Sequence, residues 1–176
     1  MITELRTERL LLKKMEVSHS SSLFKIWSDP DVTKFMNINS FTDESQAIEM
    51  IEMLDMLSQE NKAIRYSIFL LESNQIIGSC GYNSLDFENL KAEIGYEISK
   101  EYWGNGFASE AVLTLVNYAF HNLNFNRVEA KIEPDNKNSI KLVERLNFQF
   151  EGTLRKSERS KDTFIDLNMY SKLVTD

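Results

Sequence analysis

Two glycines at a change of repeat mark where this sequence could do chemistry. In Glu93-Ile94-Gly95-Tyr96-Glu97-Ile98, Ile94, Tyr96 and Ile98 alternate with Gly95 and Glu97, the two-residue repeat of a strand. From Ala108 the repeat lengthens: Ala108, Ala111, Val112, Leu115, Ala119 and Leu123 recur at helical spacing, as on one helix face. Between them stands Trp103-Gly104-Asn105-Gly106-Phe107, whose glycines let the backbone turn sharply and approach a ligand with no Cβ in the way. The first turn of a helix carries N–H groups without intrahelical partners, and the macrodipole adds partial positive charge. Such a turn binds phosphate. A Gly-x-Gly at a helix start also serves as a plain turn, so spacing alone does not choose. Thiol and imidazole chemistry finds little footing. Cys80 is the only cysteine, which leaves no intramolecular disulfide and no cysteine-built metal motif. Its apolar surroundings read as core. His19 and His121 lie in helical contexts without a motif around them and read as surface residues.

Positioning that turn takes a frame of strands and helices, and the chain supplies one. Leu5 to Met15 reads as a strand with Arg9 and Lys13 on its solvent side. Val17 to Ser28 reads as a short helix bearing Leu23, Phe24, Ile26 and Trp27, and Asp29-Pro30-Asp31 as a turn or helix start. Thr42 to Gln59 reads as a helix with Thr42 as N-cap and Ala47, Ile48, Ile51 and Leu54 along its apolar side. Ile64 to Glu72 and Gln75 to Tyr82 are β-rich runs joined by Ser73-Asn74, a two-residue hairpin signal, and polar Leu85 to Lys91 reads as a loop. Past the glycine turn and its helix, Arg127 to Ile132 alternates as a strand. Pro134 ends it, and Asp135 or Asn136 is placed to cap a helix from Ser139 to Leu146. Phe148 to Arg155 and Thr163 to Lys172 close the chain as strands, with charged Lys156 to Asp162 as the hairpin loop between them. No linker-like or repetitive segment interrupts residues 1–176, which read as one mixed α/β domain.

The run Tyr102-Trp103-Gly104-Asn105-Gly106-Phe107-Ala108-Ser109-Glu110-Ala111 resembles the acetyl-CoA pyrophosphate loop of the GNAT N-acetyltransferases. It is most similar to the subgroup containing the RimJ/RimL ribosomal-protein N-terminal acetyltransferases. Further stretches resemble that subgroup in the same order. They are Thr7-Glu8-Arg9-Leu10-Leu11-Leu12 as its opening strand, Asn136-Lys137-Asn138-Ser139 as its Asn-x-x-Ser helix start, Leu146-Asn147-Phe148 with Glu151-Gly152, and Asp166-Leu167-Asn168-Met169-Tyr170 as its last strand. The resemblance implies an α/β (α+β) GNAT acyl-CoA N-acyltransferase fold. Its central, mostly antiparallel sheet, flanked by helices, would splay between the strands at Ile94–Ser99 and Val128–Ile132. It implies acetyl-CoA as cosubstrate, with Trp103, Gly104, Asn105, Gly106, Phe107, Ala108 and Ser109 around the pyrophosphate, and Tyr96 and Ile98 against the pantetheine arm. Asn136 would hydrogen-bond that arm and Ser139 would support the departing thiolate. Capping accounts for both residue types as well. Val143 occupies the position where many GNAT enzymes carry a tyrosine acid. Trp103 stands where the general motif has Gln or Arg, and Asn147 replaces a glycine whose positive φ asparagine tolerates.

Acetyl transfer to an amine requires a neutral nucleophile, donors for the oxyanion and a proton or hydrogen bond for the leaving thiolate. A free α-amino group titrates near ~8, so deprotonation is a modest task. Glu158 matches a glutamate proposed as base in the RimL-like enzymes. Glu97 and Glu93, on the strand beside the cleft, are rivals, and the sequence leaves the choice open. The favoured reaction is direct transfer, without metal or covalent enzyme intermediate, to a protein N-terminal amine of the ribosomal-protein type. The alternatives are a small-molecule amine (polyamine, aminoglycoside or amino acid) and a noncatalytic acyl-CoA-binding protein. Asp29 to Leu57 and the 156–162 segment are expected to set the acceptor. A nucleotide-binding domain lacks its Walker lysine here.

Composition bounds the partners. Twenty basic against 27 acidic residues give a net charge of -7, against the basic patch that nucleic-acid binding needs and in favour of a cationic acceptor. No apolar stretch reaches the roughly 18 residues of a membrane span, and no signal-peptide run opens the chain. The expectations are therefore no nucleic acid, no membrane and a cytoplasmic location. A homodimer stays open, the sequence not deciding oligomeric state.

Overall fold

The computed structural model describes all residues, 1–176. Eight strands form one sheet in the order β1-β2-β3-β4-β5-β6-β8-β7. They are β1 (Glu4–Arg6), β2 (Leu10–Lys14), β3 (Ile64–Leu70), β4 (Gln75–Asp86), β5 (Lys91–Ile98), β6 (Arg127–Ile132), β7 (Gln149–Ser160) and β8 (Thr163–Leu173). Every neighbouring pair is antiparallel except β5–β6. The helices are α1 (Ser20–Trp27), α2 (Pro30–Thr33), α3 (Glu44–Gln59), α4 (Phe107–His121) and α5 (Lys137–Arg145).

Helix α4 buries Ala111, Val112, Leu115, Val116 and Ala119 in a core that also holds Leu12, Tyr66, Cys80, Tyr82, Ile94 and Val128. Leu142 and Val143 of α5 join the same core. A smaller cluster gathers α1 and α3 through Leu23, Ile26, Trp27, Ala47 and Ile51, with Met15. Strand alternation keeps the two helix layers on opposite faces.

Several local details depart from the sequence expectations. The first strand is two, because Thr7 N–H donates to the Leu10 carbonyl and the Thr7 hydroxyl accepts from Leu10 N–H, folding Thr7-Glu8-Arg9 into a turn. Helix α3 is capped by Asp43 rather than Thr42. The Asp43 carboxylate accepts from Ser45 N–H while the Gln46 side chain reaches back to the Asp43 N–H, a capping box. The connection between β3 and β4 spans Leu71 to Asn74, with Asn74 at φ 58°. Strand β4 runs on to Asp86, which leaves only 87–90 as loop. Strand β7 extends to Ser160, so most of the charged segment is strand, and only Lys161 and Asp162, both at positive φ, make the turn. Asn147 does take the left-handed conformation, at φ 62°. His19, expected at the surface, is buried with its Nδ1 2.8 Å from the Ser67 hydroxyl. Burial pushes its imidazole below the ordinary value.

The parallel pair β5–β6 positions the site. It holds only over Lys91↔Arg127, Ala92↔Val128 and Glu93↔Glu129. Beyond Glu93, β5 continues to Ile98 paired with β4, while β6 continues to Ile132 paired with β8. The strands therefore part, and the facing edges of their backbones are left without ladder partners.

Candidate active site

The splay opens between the starts of α4 and α5. Gly104 and Gly106 sit at φ 77° and 79°, in the left-handed region that a Cβ penalises. Nothing lies within 4 Å of where a Cβ on Gly104 would stand, so that side of the loop is free. No side chain caps the N-terminus of α4. The amides of its first turn, at Phe107, Ala108 and Ser109, are left without intrahelical acceptors, with the helix dipole behind them. Asn105 works on the scaffold side. Its amide donates to the Tyr102 and Trp103 carbonyls at 3.0 and 3.1 Å. The Trp103 indole N–H donates to the Ile98 carbonyl at 2.7 Å, lying across the end of β5.

A cleft of about 680 Å³ runs along this loop to α5. Its lining includes Tyr96, Glu97, Ile98, Trp103, Gly104, Gly106, Phe107, Ala108 and Ser109 on one side and Asn136 and Ser139 on the other, while Asn105 is outside it. Asn136 caps α5, its Oδ1 accepting the Ser139 N–H at 3.4 Å, and its side-chain Nδ2 makes no hydrogen bond. Ser139 Oγ lies 2.8 Å from the Tyr96 hydroxyl across the mouth of the splay. Burial raises the Tyr96 phenol, and the Ser139 hydrogen bond opposes that shift. Val143, where a helix tyrosine would stand, is buried in the core. A tyrosine hydroxyl reaches the cleft from β5 instead.

Two cleft residues escaped sequence reasoning. Lys141 and Arg145 lie four apart on α5, hence on one side of it, and both line the cleft. Neither is in an ion pair. In an acidic chain, two unpaired cations facing a glycine loop suit a multiply charged anion. Their spacing on an amphipathic helix was the available signal.

The opposite face of the splay carries carboxylates. Glu93 pairs with Lys131 at 3.0 Å, fixing both on that face. Lys131 lies opposite Met169, and Glu158 lies opposite Ile165. Opposed residues share a face, so Glu158 stands on the same side as Glu93 and Glu97. Glu158 is half-buried and accepts from the Asn37 amide at 2.7 Å. Lys161 reaches from the hairpin to the Thr33 and Lys34 carbonyls at 2.6 and 3.0 Å, tying the β7–β8 turn to α2. Nearby Glu133 is raised by burial, with Lys161 opposing and Glu158 and Asp135 adding to the rise.

Glu97 has a different setting. Its carboxylate is buried and accepts from the Trp27 indole N–H at 2.9 Å, from the Ser79 hydroxyl and from the Arg65 guanidinium. Arg65 also donates to the Ser79 hydroxyl at 3.0 Å and Asn83 at 2.9 Å. The structure thus brings Tyr96, Glu97, Ile98, the glycines of the loop, Asn136 and Ser139 into one cleft, and leaves Glu158 and Glu93 outside its lining. No group of three or more His, Cys, Asp or Glu residues could hold a metal ion. No helix is long and apolar enough to cross a membrane.

Comparison with known proteins agrees with this geometry. The family model described as the acetyltransferase (GNAT) domain matches residues 9–149. An uncharacterized N-acetyltransferase, p20, from Bacillus licheniformis is 53% identical over 96% of this chain and 95% of its own length. The ribosomal-protein-serine acetyltransferase of Escherichia coli is 29% identical over 68% of this chain and 65% of its own length. Among solved structures, the ribosomal L7/L12 α-N-protein acetyltransferase RimL in complex with coenzyme A superposes with a TM-score of 0.84. That match is at 22% identity, over 95% of each chain. On its sequence match and its splayed sheet, the chain belongs to the GNAT acetyltransferase family.

Proposed function

We propose that the protein is an acetyl-CoA-dependent N-acetyltransferase that passes the acetyl group directly to a primary amine, with a protein N-terminal amine as the favoured acceptor. The observation that carries this reading is the cleft at the splay. One cleft has the glycines of the loop and Ser139 in its lining together with Glu97 and Val32, Phe35 and Met36 of the α2 segment, and it lies where β5 splays from β6. The residues present fit acetyl-CoA. The uncapped α4 start suits its pyrophosphate, Lys141 and Arg145 add positive charge, and the unpaired strand edges match its amides. When bound, acetyl-CoA supplies an activated thioester.

The chain's own groups do the rest. Glu158, engaged by one neutral amide, is free to take the ammonium proton, directly or through one water. Backbone N–H groups along the open edge of β5 face the developing oxyanion, where one well-placed donor contributes about 3–4 kcal/mol. As the N–C bond forms and the C–S bond breaks, the nitrogen's second proton passes to the departing sulfur, and Ser139, held by the Tyr96 hydroxyl, donates a hydrogen bond to that sulfur. Glu97, engaged by three donors including the Arg65 guanidinium, is assigned to holding α1 to β5. The ribosomal-protein acceptor is favoured by the relative named for such an activity and by the net acidic chain, which suits a cationic chain end.

The test is thiol release from acetyl-CoA against peptides beginning with Ser or Ala, polyamines and aminoglycosides. Release that depends on peptide, and falls about 10²-fold or more in Glu158→Gln, is the expected result. Release only with a small amine keeps the reaction and overturns the acceptor. Tight acetyl-CoA binding with no turnover on any amine overturns enzyme activity.

A further inference from the structure

The Thr7-Glu8-Arg9 turn plays no part in the chemistry above, yet it is fastened to the glycine loop and to the first turn of α4. Glu110, in the first turn of α4, is its anchor. The Glu110 carboxylate accepts the Thr7 hydroxyl at 2.5 Å, the Arg9 backbone N–H at 2.9 Å and the Arg9 Nε at 2.7 Å, and pairs with Arg9 Nη2 at 2.7 Å. The remaining guanidinium nitrogen, Nη1, donates to the Asn105 carbonyl at 2.9 Å, between the two glycines. The guanidinium also stacks over the Phe107 ring, 4.4 Å from its centroid, and lies 3.5 Å from where a Cβ on Gly106 would stand. One arginine therefore touches the loop on three sides.

We infer that Arg9 is a positioning residue for acetyl-CoA, holding the Gly104–Gly106 loop in its binding shape and neutralising Glu110 beneath the phosphate site. The inference rests on acetyl-CoA occupying the cleft. Two physical effects run in the same direction. A loop with two residues at positive φ has many competing conformations, and the Asn105 carbonyl anchor selects among them, lowering the ordering cost of binding. A carboxylate in the first helical turn also opposes an incoming anion, because it cancels the positive end of the dipole. Glu110 is balanced by the fork of Arg9, so the helix start keeps its pull on phosphate. Arginine suits both tasks, since its planar fork serves carboxylate and carbonyl at once, which a lysine ammonium does less well.

The test is calorimetric binding of acetyl-CoA to the full-length wild type, Arg9→Ala, Arg9→Lys and the double variant Arg9→Ala/Glu110→Gln, with thermal midpoints taken in parallel. Arg9→Ala is expected to weaken acetyl-CoA binding about 10-fold and to raise KM for acetyl-CoA equally, with kcat and acceptor KM within twofold. Arg9→Lys keeps a charge beside Glu110 but gives up the fork, and is expected to recover about half of the loss on a logarithmic scale. The double variant, relieved of the uncompensated carboxylate, is expected to bind more tightly than Arg9→Ala alone. Affinity within twofold of wild type in a folded Arg9→Ala protein overturns the inference. So does a fall in kcat with acetyl-CoA affinity unchanged. If Arg9→Ala does not fold, Arg9→Lys decides by the same readouts. Failure of the wild type to bind acetyl-CoA would instead overturn the functional reading itself.

Discussion

Replacing Glu97 with glutamine separates two roles that a glutamate beside a catalytic cleft can have. The Glu97 and Arg65 side chains are 5% and 11% exposed, so their ion pair is desolvated on both sides. Removing one partner of such a pair costs about 3–5 kcal/mol, because the remaining charge stays buried and unpaired. Glutamine keeps the bulk and an acceptor oxygen for Trp27 or Ser79, and Arg65 keeps its bonds to Asn83 and Ser79. The lower end of the range, about 3 kcal/mol, is therefore expected. For a chain of this length, that lowers the thermal midpoint by about 6–12 °C. Loss of a general base is a different event: it removes about 10²–10⁴-fold of rate and leaves stability almost untouched. Urea titration and thermal melts give the first quantity, and thiol release at saturating substrates, well below the lowered midpoint, gives the second. A destabilised Glu97→Gln protein whose kcat falls less than about 10-fold agrees with the network role. A protein as stable as wild type with a rate loss beyond 10²-fold refutes it and makes Glu97 the base.

Three further outcomes follow from the same geometry. Gly106→Ala forces a Cβ onto a residue at φ 79° at a cost of about 1–2 kcal/mol. A loop that relaxes to escape that strain loses about 5- to 30-fold in acetyl-CoA affinity, and steady-state KM for acetyl-CoA at unchanged kcat checks it. Cys80 is fully buried and its thiol is pushed up to about 12 by burial, so it stays unreactive toward disulfide reagents at pH 8 in the native protein and titrates as one thiol after unfolding. Glu110 gives a pH dependence. Burial pushes its carboxyl up, but the Thr7 hydroxyl and the Arg9 amide and guanidinium outweigh burial and hold it below the ordinary value. A carboxyl lowered on folding adds stability above its unfolded value, near ~4.3, and that stability drains away as pH falls through the lower folded value. Glu110→Gln should therefore lose stability at pH 7 and show a shallower acid limb in melts below about pH 4.3, whereas an acid limb identical to wild type contradicts the clasp.

What the sequence disclosed and what it hid divide along chain distance. The glycine turn, the strand before it and the helix after it are local patterns of period and propensity, and they appear where the residues placed them. The Asn136 cap and the positive φ of Asn147 are local too. Thr42 and Asp43 are both good capping residues one position apart, and only the reach of Gln46 back to the Asp43 amide chooses between them. The buried state of His19 depends on Ser67 and Phe69, far away on β3. The groups that organise the site are more distant still. Trp27 meets Glu97 across 70 positions, and Thr7 meets Glu110 across 103. Nothing in the spacing of Arg65, Ser79 and Glu97 announces that they share one buried network, since each alone reads as an ordinary strand residue. Glu158 looked like part of a solvated turn because its charged neighbours hid the strand alternation, which a β-bulge between Leu154 and Glu158 disturbs further.

The most direct test is to incubate the protein with acetyl-CoA and a peptide whose only amine is its N-terminus, then read the peptide by mass spectrometry. The expected result is one acetyl group on the α-amine, formed only with the protein and acetyl-CoA present and largely lost with Glu158→Gln. A peptide left unmodified, together with no acetylation of polyamines or aminoglycosides by a protein that demonstrably binds acetyl-CoA, would contradict the assignment of this splayed sheet to acetyl transfer.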